Sequence, residues 1–145
     1  MEKIKYKEHG TFTFEIGNSL SQKTKEIPRG YGVYIIYANS IDGELLYIGK
    51  GGTIHTNGDF DKQQLKERLK KKQEKNIYRE DFFIKKMNED KQLKALYIEW
   101  YIIDEKLYLP AYYEAVLIQD YYSKHSKLPK WNKKYWQIKY KMDIW

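Results

Sequence analysis

A chain of 145 residues is the length of one domain, and with 41% hydrophobic and 17% aromatic residues it can build a single buried core, which excludes a disordered tail. It contains no cysteine, so a disulfide scaffold and any Cys-ligated zinc or iron–sulfur site are excluded, and its three histidines (His9, His55 and His125) fit no zinc pattern and read as surface residues. The net charge of +7 suits a polyanionic partner, while the absence of an apolar leader or of any apolar run near ~18 residues points to an intracellular, cytoplasmic protein with no membrane partner.

In chain order, residues 11–16 alternate with period two and read as a strand with Phe12, Phe14 and Ile16 on its buried face. Residues 32–38 and 45–49 are β-branched and aromatic runs joined across Asp42-Gly43, a hairpin turn signal. A glycine-containing loop over 50–60 follows. The next apolar spacing predicts a helix from about Asp61 into the mid-seventies, capped by Asp59 or Asp61, with Leu65 and Leu69 facing inward. Residues 80–90 read as a second helix and 95–103 as a third core strand. Pro110 then suits the first position of a helix running to about Lys124. Antiparallel strands with helices between and after them define an α+β domain.

The charge is unevenly distributed. Residues 62–75 hold seven basic residues against two acids, and 123–142 hold seven lysines and no acid. In the second stretch Lys130, Lys133 and Lys134 interleave with Trp131, Tyr135, Trp136 and Tyr140, a composition that suits phosphate neutralisation and base stacking. The same rings could equally pack the end of the chain onto the core while the ammonium groups face outward. Only Arg29, Arg68 and Arg79 are arginines among 27 basic residues, and a guanidinium fork does what an ammonium cannot.

The tripeptides Gly32-Val33-Tyr34 and Tyr47-Ile48-Gly49, on the two strands of the hairpin, resemble the paired motifs of the GIY-YIG nuclease family. Arg68 on the helix after the hairpin, Glu114 near the start of a later helix and Asn132 in Pro129-Lys130-Trp131-Asn132 follow in the family's order, so the resemblance spans residues 30–134. It implies a small three-stranded antiparallel sheet flanked by helices. Here that sheet would gain an extra N-terminal strand: residues 1–28 form the extension and 29–145 the nuclease-like part of one domain. It also implies an endonuclease that hydrolyses DNA phosphodiesters with one Mg²⁺ or Mn²⁺ ion. Two features depart from the family. Arg68 lies nineteen residues after Gly49, where about ten is usual, and Lys72 stands where some members place a histidine.

The residues supply a chemical rationale beside the resemblance. An even hairpin turn puts Tyr34 and Tyr47 on one sheet face with Gly32 and Gly49, leaving an open floor beside two phenols. Glu114 interrupts an apolar stripe with Leu117, Ile118 and Tyr121, so its carboxylate needs a cation, a proton or a partner. As an oxygen ligand it suits Mg²⁺, and as a helix-start glutamate it would simply match the macrodipole. Arg68 can hold two phosphate oxygens, Lys50 can add a point charge or lower a neighbouring phenol's pKa, and Asn132 with Trp131 can pin the closing segment. The resemblance assigns the general base to Tyr34, with Tyr47 beside it. The alternative is a nucleic-acid-binding module on the same fold without cleavage; the choice of monomer or homodimer stays open.

Overall fold

The computed structural model describes residues 4–74 and 77–133. The strands are β1 (Tyr6–Phe14), β2 (Gly32–Ala38), β3 (Leu45–Gly51), β4 (Lys72–Glu74), β5 (Ile77–Tyr78) and β6 (Leu96–Ile103). The helices are α1 (Leu20–Lys23), α2 (Leu65–Lys70), α3 (Arg79–Glu89) and α4 (Pro110–His125). Four strands form one antiparallel sheet in the order β1-β6-β2-β3, and β4 and β5 pair as a separate short ribbon. The fold is therefore α+β. Among the described residues no helix is long and apolar enough to cross a membrane.

Alternation of side chains divides the core between the two faces of the sheet. One face carries Phe14, Tyr34, Ile36, Ile98 and Trp100, covered by Leu20 of α1, Leu65 and Leu69 of α2, and Phe82, Phe83 and Met87 of α3. The other carries Val33, Ile35, Ile48 and Ile103, covered by Tyr113, Leu117 and Ile118 of α4. Phe14, Leu20 and Ile27 sit in the same cluster as the hairpin residues, so residues 4–28 share one core with the rest.

Several expectations need correction. The N-terminal strand ends at Phe14, and Ile16 is 51% exposed: Gly17 at φ 101 and the bonds between Glu15 and Asn18 turn the chain there. The helix expected from Asp61 into the mid-seventies spans Leu65–Lys70 alone. Its N-cap is Gln64, whose N–H donates to Glu67 Oε1 at 3.1 Å, in place of Asp59 or Asp61. From Lys70 to Asn76 the sequence offers no apolar position to bury, so the lysine run leaves the helix and pairs as β4 with β5. The expected N-terminal strand is present: β1 hydrogen-bonds along β6 and makes the sheet four-stranded at that edge.

Candidate active site

The site is built around edge strand β3. Tyr34 of β2 lies opposite Gly49, and Tyr47 opposite Ile36, so both phenols face the α2–α3 side, with ring centroids 5.8 Å apart. The register shifts between Ile36 and Tyr37, where Leu46 is the extra residue. That bulge lets Leu46 and Tyr47 both pack on the same core cluster. Lys50, alternating with Gly49 and Gly51, faces the α4 side.

The glycines do not form an open floor. A Cβ on Gly49 would lie 2.6 Å from Tyr34 Cζ, and one on Gly51 would lie 2.6 Å from Leu65 Cα. The space is filled by the protein itself: Gly49 admits the Tyr34 ring and Gly51 admits the start of α2. That start is also tied to β2 by Leu65 N–H to Gly30 O at 2.9 Å and Gly30 N–H to Gln64 Oε1 at 2.8 Å. Burial of Leu65 and Leu69, each about 1.5–3 kcal/mol, fixes the helix and leaves Arg68 exposed beside the phenols.

Tyr34 is 1% exposed, and burial pushes its hydroxyl far above the ordinary value of 10; the Arg79 and Arg68 charges oppose that shift without cancelling it. Its oxygen accepts a hydrogen bond from Arg79 Nη1 at 2.5 Å. Tyr47 is half-buried. The Arg79 guanidinium lies 5.6 Å from the Tyr34 ring centre and 5.9 Å from that of Tyr47. Arg79 is 4% exposed at the first position of α3. No motif marks it; its one sequence signal is the scarcity of arginine in so lysine-rich a chain.

On the other side of β3, Glu114 projects from α4 half-buried. Burial raises its carboxyl above the usual 4.5, while Lys50 first and Arg68 second pull it back. Glu114 thus feels two cations, one from β3 and one from α2, and Arg68 also acts on Tyr34. Tyr34 and Tyr47 thus lie on one side of β3 and Lys50 and Glu114 on the other, with Arg68 of α2 acting on both Tyr34 and Glu114. Among the described residues no group of three or more His, Cys, Asp or Glu side chains gathers to hold an ion. A divalent cation here would rest on Glu114 plus water and phosphate oxygens, a set that suits Mg²⁺.

Asn132 and Trp131 pin the closing segment to β3, as one expectation had it, whereas Trp131 is not free to contact nucleic acid. The Asn132 side chain accepts from Ile48 N–H and donates to Ile48 O, both at 3.0 Å, satisfying the free edge of β3 where another strand would bond. It is a positioning residue for the hairpin, with its polar atoms already engaged. Replacing Asn132 with alanine should cost about 1–3 kcal/mol, read as a lower urea midpoint; an unmoved midpoint would contradict this role. Trp131 is 7% exposed, its ring packs on Phe82 and Phe83, and its backbone N–H donates to Leu46 O at 2.8 Å. Its ring is part of the core and cannot stack on a base. Lys130 and Lys133 are exposed, whereas Lys134 and the aromatic residues after it lie outside the described residues, as do the seven-lysine run's last members. His9, His55 and His125 are exposed, and none joins the site. No protein-family model, curated protein or solved structure matches the chain.

Proposed function

We propose that this chain is a metal-dependent endonuclease of GIY-YIG type, hydrolysing phosphodiester bonds in DNA with one Mg²⁺ or Mn²⁺ ion. The observation that carries the reading is that Arg68 of α2 acts on both Tyr34, paired with Tyr47 on one side of β3, and Glu114, which Lys50 also faces on the other side. The sheet order supports it too: β6, β2 and β3 form a contiguous three-stranded unit, with β1 added outside.

Within this reading Arg68 grips the non-bridging oxygens of the scissile phosphate, where charge builds as water attacks. Lys50 adds a second cation and helps keep Glu114 ionised. Glu114 would hold the metal, whose chemistry is Lewis-acid stabilisation of the phosphate and the leaving oxygen. Two protein cations beside a single carboxylate disfavour a dication until a phosphate arrives, so metal and DNA bind together. Incubation with duplex, branched and single-stranded DNA, with and without Mg²⁺, tests the proposal. Strand cutting that needs the ion is expected; retention of DNA with no cutting by any divalent ion would favour a binding module on the same fold.

The basic C-terminal stretch extends the DNA surface. If Lys130, Lys133 and Lys134 each touch a duplex phosphate, replacing all three with alanine should flatten the log K against log salt slope by about 2.7, at ~0.9 per contact. Measured with the Glu114→Gln protein, which is expected not to cut, an unchanged slope would remove these lysines from the interface.

A further inference from the structure

We propose that the part of the sheet beyond α4, centred on Glu99, is a docking face for an arginine side chain of a partner protein. None of its residues belongs to the nuclease reading's site, so the two stand or fall separately. β6 turns Tyr97, Glu99 and Tyr101 toward the α4 side, where Tyr37 and Tyr101 flank the cluster built on Val33 and Ile35. α4 lies over β2 and β3. Tyr97, Glu99 and Tyr101 are left half-buried, and opposite them on edge strand β1 Thr11 and His9 are exposed.

Rings stand on both sides of the carboxylate. Tyr97 and Tyr101 are each two residues from Glu99, a step of about 7 Å along a strand. Tyr37, the register partner of Tyr97, brings a second ring 6.3 Å from it. At the other end Tyr101 stacks on His9 at 4.3 Å, with Tyr6 edge-on at 5.5 Å. The His9 Nδ1–H donates to Trp100 O at 3.0 Å and so holds that stack in place. Burial first and the Glu99 charge second raise the hydroxyl of Tyr37 and push that of Tyr101 up to about 12. Both phenols therefore stay neutral beside the carboxylate.

Charge selects the occupant. In a chain of net charge +7, the charged side chain acting on these two phenols is an acid, whereas Tyr34 on the opposite face feels Arg79 and Arg68. A carboxylate at the centre repels phosphates, which disfavours a nucleic-acid strand here despite the rings. A cation is attracted twice, by the carboxylate charge and by the ring quadrupoles. Guanidinium meets both at once, because its planar fork pairs with a carboxylate while its face lies on a neighbouring ring; ammonium offers a point charge alone.

The test titrates the full chain, carrying isotope-labelled tyrosine, with a short acetylated peptide whose arginines are spaced by glycines. Ring resonances, assigned with single tyrosine-to-phenylalanine variants, report the site. The peptide should move the signals of Tyr37, Tyr97 and Tyr101 and leave that of Tyr34 in place, and its lysine counterpart should bind several-fold more weakly. Glu99→Gln should weaken binding about 10-fold or more, and Tyr97→Leu about 2–5-fold, the scale of one charged hydrogen bond and one cation–π contact. Glu89→Gln, exposed on α3 at the opposite face, should leave affinity unchanged. Melting curves identify any variant that fails to fold, and the wild-type ring shifts carry the test without them. Rings unmoved at millimolar peptide, equal affinity in wild type and folded Glu99→Gln, or shifts produced as strongly by an oligothymidylate would each overturn the proposal.

Discussion

Glu114→Gln should lose metal-dependent cleavage by at least about 10³-fold, because a carboxylate–metal contact on the transition state is worth several kcal/mol. The same substitution should raise the melting temperature at neutral pH in the presence of EDTA. Burial holds the Glu114 carboxyl above 4.5, so the folded protein binds that proton more tightly than the unfolded chain does. The associated stability is complete below about pH 4.5 and is lost as pH rises through the window above it. Lys50 and Arg68 reduce this loss without reversing it. Glutamine never ionises and so escapes it: melting curves of the two proteins should coincide in acid and separate in the variant's favour towards neutrality. A variant less stable than wild type at pH 7 would mean that Glu114 is held as a structural ion-pair partner.

Trp131→Ala should destabilise the fold by about 3–5 kcal/mol, the usual cost of emptying a buried tryptophan site. The indole lies edge-on to Phe82 at 5.6 Å and stacked near Phe83 at 6.2 Å, between α3 and the bulge at Leu46. Its removal opens a cavity and loosens the segment whose neighbour, Asn132, secures Ile48. The melting temperature should fall by roughly 10 °C, and Mg²⁺-independent affinity of the folded fraction for DNA should not change. A variant that melts like wild type but binds single-stranded DNA more weakly would return Trp131 to a stacking role.

β2, β3 and β6 were readable because each is a β-branched or aromatic run, the first two joined across the turn signal Asp42-Gly43, whereas the first half of β1, from Tyr6 to Gly10, carries no such pattern. Pro110 marked the start of α4 for an equally local reason, its fixed φ and missing donor. What stayed hidden depends on tertiary partners. Lysines at 70–72 have good helix propensity, yet a helix continuing past Leu69 would have no apolar face to bury. α1 is only four residues long, fixed by Ser19 at its cap and Leu20 in the core. The even-turn premise fails, because Ala38 bonds Glu44 and Tyr37 pairs with Leu45 across an odd turn; the bulge at Leu46, which leaves no mark in the residue pattern, is what puts Tyr34 and Tyr47 on one face.

At the candidate site, exposure is the property that sequence reasoning could not supply. Tyr34 and Tyr47 look equivalent as letters; only the packing of Gly49 against one ring buries Tyr34 and leaves Tyr47 at the edge. Trp131 sits in a lysine–aromatic run whose composition is the same whether its rings stack on bases or on Phe82 and Phe83. Arg79 belongs to no spacing rule, because its partner Tyr34 is 45 residues away in the chain.

One comparison tests the central claim most directly: single-turnover cleavage of supercoiled plasmid by the wild-type chain and by Glu114→Gln, each with and without Mg²⁺. The account predicts nicking by the wild type only when Mg²⁺ is present, and a variant that still shifts the plasmid on a gel but leaves it uncut. Equal cutting by both proteins, or a wild type inert towards every DNA form in Mg²⁺ and Mn²⁺, would contradict it.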